Sequence, residues 1–144
     1  MYEMQQSVLE LILLVGLFRI AWIDYKTKLI EIEWLIAMGI FGILGIVVSR
    51  DWEMLRQACM GLMIGIGILI YAGVSKESIG FGDGWLFVIT GIYLGFSKNY
   101  MLLLVSLFFS GIYSVCCLIL KKVQKADRIA FAPFVLTAYV VLCL

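Results

Sequence analysis

Six apolar stretches, separated by short polar links, constrain the fold of this chain most tightly. They cover residues 5–23, 32–48, 55–74, 84–96, 100–120 and 129–144. A helix that spans a bilayer needs about 20 residues, within a range of roughly 17–25. The first, third and fifth stretches have that length, and the flanks of the second and sixth extend them to it. The fourth is short. With 64% hydrophobic and 15% charged residues and a mean hydropathy of +1.08, the chain does not read as a soluble domain. The expected fold is an all-α membrane protein, a single domain over residues 1–144. Six transmembrane helices would form a polytopic bundle with the N-terminus outside. The fourth helix would be short and preceded by an irregular segment at Gly80–Gly84. The start of the chain lacks the basic region and cleavage site of a removable signal peptide, so the first stretch is read as a retained helix.

The basic residues orient the bundle. Lys26, Lys28, Lys76, Lys121, Lys122, Lys125 and Arg128 fall on one set of connections, and Arg50, Arg56 and Lys98 on the other. The positive-inside rule assigns the richer set to the cytoplasm. Arg19 lies about one turn inside the first cytoplasmic boundary, within snorkelling reach of it. Asp24 then ends the first helix on the cytoplasmic side, and Asp83 begins the fourth on the same side. The glycine pairs Gly61/Gly65 and Gly91/Gly95, four apart, predict close helix approach.

Several chemistries drop out. A net charge of +1 gives a nucleic-acid partner no electrostatic support. The chain has no His, so imidazole catalysis and ligation are excluded. Cys59, Cys116, Cys117 and Cys143 lie in apolar stretches without a C-x-x-C pair, and are read as small buried hydrophobes. No metal site and no cofactor is expected. The four Trp fall near membrane boundaries, as an aromatic belt would.

The carboxylates carry the chemistry. An Asp at the membrane centre costs about 2.5–3.5 kcal/mol on insertion scales, so one kept near the bilayer usually has a task. Asp83 closes Gly80-Phe81-Gly82-Asp83. Two carboxyl groups close together share a proton, one acting as acid and the other as base, and so can hydrolyse a peptide without metal or His. Asp83 also suits a helix N-cap, and Asp24 an interfacial helix end.

Three motifs bear on the choice. Asp24-Tyr25-Lys26-Thr27-Lys28-Leu29-Ile30 follows a helix, Gly80-Phe81-Gly82-Asp83 precedes one, and Ile129-Ala130-Phe131-Ala132-Pro133-Phe134 opens the last. Together, in this order, they resemble the signatures of the type IV prepilin peptidases, which are GxGD intramembrane aspartyl proteases. The resemblance covers essentially the whole chain. It implies that Asp24 and Asp83 are the catalytic pair, that Gly80, Phe81, Gly82 and Gly84 form the active-site loop, and that Lys26 and Pro133 are candidates for positioning substrate. Pro133 fits a first helical turn better than a substrate contact. The implied partners are the lipid bilayer and prepilin-like or other leader-bearing precursors, cut after a short basic leader at the cytoplasmic face. The implied location is the cytoplasmic (inner or plasma) membrane of a prokaryote. The chain departs from the pattern at Glu31-Ile32, Trp85 and Ala130, which bears on the substrate more than on the chemistry. The cysteine-rich N-terminal region of larger members is missing, so no methyltransferase activity is expected. The alternatives are the same chemistry on another leader-bearing secreted peptide, or a proton or cation transport subunit.

Two finer expectations follow from position. Asp24 sits at a helix C-terminus and Asp83 at an N-terminus, so by the helix dipoles Asp24 is expected to hold the proton and polarise the scissile carbonyl, and Asp83 to activate water. Glu31, Glu33 and Glu77 lie near the expected mouth, where they could attract a basic leader.

Overall fold

The chain forms helices along its apolar runs and breaks them where single residues take left-handed or extended backbone. In the computed structural model the order is α1 (Tyr2–Thr27), α2 (Ile32–Ser49), α3 (Trp52–Val74), α4 (Phe81–Ile119) and α5 (Ala132–Cys143). The structure describes residues 2–75, 80–120 and 129–143, with side chains from Ser7 onward. Lys76, Glu77, Lys121, Lys122, Lys125 and Arg128 lie outside the described residues, and with them most of the basic cluster that oriented the bundle. α1 ends where Lys28 turns left-handed (φ 55) and its N–H returns to the Asp24 carbonyl at 2.8 Å, as in a left-handed C-cap. Arg50 (φ 50) ends α2 in the same way. Asp51 caps α3, its side chain accepting from the Glu53 N–H at 2.8 Å.

Five helices are found among the described residues, where the sequence led us to expect six. The expected fourth and fifth stretches are continuous in α4, which is interrupted only at Gly95 (φ 69, ψ −175). That backbone conformation is open to Gly and strained for other residues. The chain doubles back there. The Asn99 Nδ2 donates to the Phe87 carbonyl at 3.0 Å, whereas a straight helix would hold those residues roughly 18 Å apart. The two arms, 81–94 and 96–119, therefore lie against each other. The expected irregular segment at Gly80–Gly84 is also largely absent. Gly80 is the N-cap, in extended backbone, and Phe81, Gly82, Asp83 and Gly84 are already helical. The Asp83 N–H bonds to the Gly80 carbonyl at 3.1 Å, and an acidic residue in a first turn suits the dipole.

Several polar residues face inward, and much of the apolar side-chain surface faces outward. Asp24, Thr90, Asn99 and Ser106 are buried, whereas Val48, Val74 and Ile119 are more than 70% exposed. This suits a bundle whose surroundings are lipid. α2, α3 and α4 are long and apolar enough to cross a membrane; α5, at 12 residues, is shorter. α1 carries Glu10, Arg19, Asp24 and Lys26 along its length. Of the cysteines only Cys117 is buried; the other three lie on outer faces, where lipid would make inward packing unnecessary.

α3 packs backbone to backbone on the first arm of α4. A Cβ at Gly61 would stand 2.2 Å from the Gly91 carbonyl oxygen, and one at Gly91 would stand 2.4 Å from that of Gly61. Asn99 seals the contact. It is fully buried, donates to the Gly61 carbonyl at 3.2 Å and accepts from Thr90 Oγ1 at 2.8 Å. Leu13, Leu17, Leu35, Leu86, Phe87, Leu102 and Val135 fill the centre, drawn from α1, α2, both arms of α4, and α5.

Gly91→Ala should therefore destabilise the bundle by about 1–3 kcal/mol, as overpacking against an unyielding backbone does. Gly67→Ala, where nothing lies within 4 Å, should be neutral or slightly stabilising, because Ala is the better helix former. Thermal unfolding of both variants in one detergent compares them.

Candidate active site

The site assembles where the end of α1, the start of α4 and the start of α5 converge. Asp24 lies one turn before the end of α1 and is only 4% exposed. Its Oδ2 accepts the main-chain N–H of Ala132 at 2.9 Å. Ala132 opens α5, so the first turn of that helix presents its unpaired amides to the carboxyl group. Beside it the Phe131 ring packs on Phe87, centroids 6.2 Å apart. Phe87 follows Asp83 by one turn, so the start of α5 touches both carboxyl-bearing helices.

The first two motifs also meet directly. A Cβ on Gly82 would lie 2.9 Å from the Cβ of Ile30, so Gly82 permits α4 to begin against the link that follows α1. Gly84 packs on Leu69 of α3. The Asp83 carboxyl folds back over Gly80, its Oδ2 3.1 Å from where a Cβ would stand there. Asp83 is half-buried and within electrostatic reach of Asp24. Phe81 and Trp85 are exposed beside it.

The opposite end of the bundle fixes the depth of this site. Glu10 of α1 pairs with Lys98, just past the Gly95 reversal, at 3.1 Å, and its carbonyl accepts the Tyr139 hydroxyl of α5 at 3.0 Å. At 1.5 Å per residue, Asp24 stands about 21 Å along α1 from that tie, and Asp83 about 18 Å along α4 from Gly95. The two carboxyls thus occupy the same end.

The two candidate positioning residues are placed differently. Lys26 is exposed and lies over the Trp22 ring, 4.7 Å from its centroid, away from the Asp24 carboxyl. Pro133 is the second residue of α5, half-buried. Its fixed φ and missing N–H suit a first turn. Arg19 stacks on Trp34 at 3.9 Å and reaches Glu31 at 3.7 Å. Glu31 is therefore partly neutralised, which weakens the expected acidic mouth. Glu33 is exposed.

The dipole expectation treated each carboxyl at its own helix end. The fold adds a second helix to Asp24, the N-terminus of α5. A hydrogen bond to a charged group contributes about 1.5–3 kcal/mol, against about 0.3–1 kcal/mol for a helix end. The direct Ala132 contact therefore outweighs the adverse end of α1. Among the described residues no donor meets the Asp83 carboxyl.

Sequence reasoning missed Ala132, because a main-chain amide has no residue code. It missed Ile30, whose role is only to meet a glycine. It also missed Thr90, legible as a polar residue inside an apolar stretch, and Asn99, which reads as part of a polar link.

A model of the type IV leader peptidase family matches residues 11–115. No curated protein and no solved structure matches the chain.

Paired Ile30→Cys and Gly82→Cys substitutions, in a background without the native cysteines, should form a disulfide under mild oxidation. The segments need part by less than about 1 Å to reach disulfide geometry. A mass shift on reduction reads the bond, and its absence would separate the two motifs.

Proposed function

The chain belongs to the type IV leader peptidase family, and we propose that it is a membrane-embedded aspartic endopeptidase. Its substrates would be prepilin-like precursors, cut between a short basic leader and a hydrophobic helix at the cytoplasmic face. The observation that carries this reading is the convergence of Asp24 and Asp83 at one end of the bundle, with Asp24 buried against the start of α5.

In the proposed reaction one carboxyl is ionised and its partner protonated. The ionised group takes a proton from water as the water oxygen bonds to the scissile carbonyl carbon. The protonated group gives its proton to the carbonyl oxygen. The tetrahedral intermediate then collapses. The C–N bond breaks, the nitrogen takes up the proton first removed from water, and a hydroxyl proton returns to the second carboxyl. Water and peptide become acid and amine, and the pair is restored. The buried setting strengthens each of these interactions.

The link carrying Ile30 and the first turn of α4 hold the two groups in register. Gly82 is the small residue this register needs. Exposed Phe81 and Trp85 offer apolar surface beside the carboxyls, suited to the hydrophobic helix that follows a leader. Trp85 is also where the chain departs from the family pattern, which favours the second reading: the same chemistry on a different leader-bearing secreted peptide.

Asp24→Asn and Asp83→Asn should each lower cleavage of a precursor with a Gly-terminated basic leader at least a hundredfold, the scale of a lost acid–base group. Both variants should keep the wild-type unfolding temperature within a few degrees. Cleavage in purified protein and lipid, followed by mass spectrometry, measures this. Full activity in either variant would remove that residue from the reaction.

A further inference from the structure

The N–H of Ala132 points at one oxygen of a carboxyl that the proposed reaction uses. We propose that this main-chain amide is a positioning group that holds Asp24 as the charged, water-activating member of the pair and leaves the shared proton on Asp83. The inference rests on the aspartic-peptidase reading above and deepens it by assigning the two roles.

The geometry carries it. Oδ2 of Asp24 accepts the amide at 2.9 Å, and an amide can only donate, so it favours an oxygen that bears charge. The amide belongs to the first turn of α5, whose dipole adds to the same preference. The contact is enclosed, with Ala132 and Asp24 both buried, and Phe131 packs on Phe87 beside it. The Phe131 N–H beside it bonds the same carboxyl group, so two successive main-chain donors favour its charged form. Asp83 is half-buried and faces the charge on Asp24, so it is the member that carries the proton to the substrate carbonyl.

The charged surroundings of Asp24 do not compete with this assignment. From α4 it faces Asp83. α5 carries no Asp, Glu, Lys or Arg. On its own helix Arg19 is paired with Glu31, the residue before α2, and Lys26 lies over Trp22. Glu33 of α2 is exposed. The Ala132 amide is thus the donor on Oδ2, with the Phe131 N–H a second donor to the same carboxyl.

The decisive variant removes the Ala132 N–H and otherwise only weakens the Phe131 carbonyl, which accepts from Phe134 and Val135. Ala132→lactate, an ester in place of the amide made by cell-free translation, keeps the methyl group and the helix start. An ester at Ala138, on the same helix, serves as control for generic loss of an α5 amide. Full-length protein in lipid nanodiscs with carboxyl-13C aspartate is compared by infrared spectroscopy at neutral pH. In the wild-type background the band lost in Asp24→Asn should be that of an ionised carboxylate. The band lost in Asp83→Asn should be that of a protonated carboxyl. With a leader-bearing precursor, the ester at Ala132 should lower kcat about ten- to hundredfold with KM little changed. It should also move the acidic limb of the kcat/KM profile to higher pH, while the control ester leaves that limb in place.

A protonated carboxyl assigned to Asp24, or an Ala132 ester with the wild-type pH profile, would overturn the assignment. If wild-type protein cuts no precursor, the substrate reading fails, and the infrared bands still decide which carboxyl holds the charge.

Discussion

The reversal of α4 at Gly95 is the constraint on which the rest of the bundle depends. Without it the 39 residues of α4 would form a rod of about 58 Å, longer than a bilayer with its headgroups. Gly95 supplies the left-handed backbone that turns the chain, and Asn99 supplies the polar tie that holds the arms together. Each bond of Asn99 reaches a group that a straight helix would carry out of range: Thr90 and Phe87 on the first arm, Gly61 on α3. An amide buried among apolar side chains demands partners, and here it obtains them only when the chain has folded back. The reversal also sets how far Asp83 stands from the opposite end of the bundle. That distance matches the one Asp24 acquires along α1 from the Glu10–Lys98 tie.

Much of this was legible in the sequence, and the failures have physical causes. The apolar stretches gave the helices because a bilayer leaves the backbone few other ways to satisfy its polar groups. The glycine pairs on α3 and α4 gave the close approach, since little else would place Gly61 and Gly91 in contact. The break between the expected fourth and fifth stretches was blurred. Residues 97–99 look like a polar link, yet Ser97, Lys98 and Asn99 are helical, and the turn itself is confined to one glycine. The motif at Gly80 was read as irregular because of its glycines. In the fold Gly82 serves contact with Ile30 rather than flexibility, and the helix has already begun.

The candidate site was legible as a pair of carboxyls at matched depth, and much less so as a set of interactions. Helix ends were weighed one at a time, so Asp24 was seen only against the C-terminus of α1. A third helix end, brought in by the fold from 108 positions away, adds a donor to Asp24 that the dipoles of α1 and α4 do not include. The late motif at residues 129–134 thereby gains a physical role. Phe131 packs on Phe87, Ala132 presents its amide, and Pro133 stiffens the turn that aims it. Lys26, matched by motif alone, lies over an aromatic ring instead.

The central claim is that the ends of α1 and α4 hold two carboxyl groups around one water. An experimental structure in lipid, with a peptide isostere whose hydroxyl replaces the attacked carbonyl, tests it most directly. The account places that hydroxyl between Asp24 and Asp83, with the Ala132 amide still on the far oxygen of Asp24. An occupied site with the hydroxyl in contact with neither carboxyl, or with only one while the other points away, would contradict it.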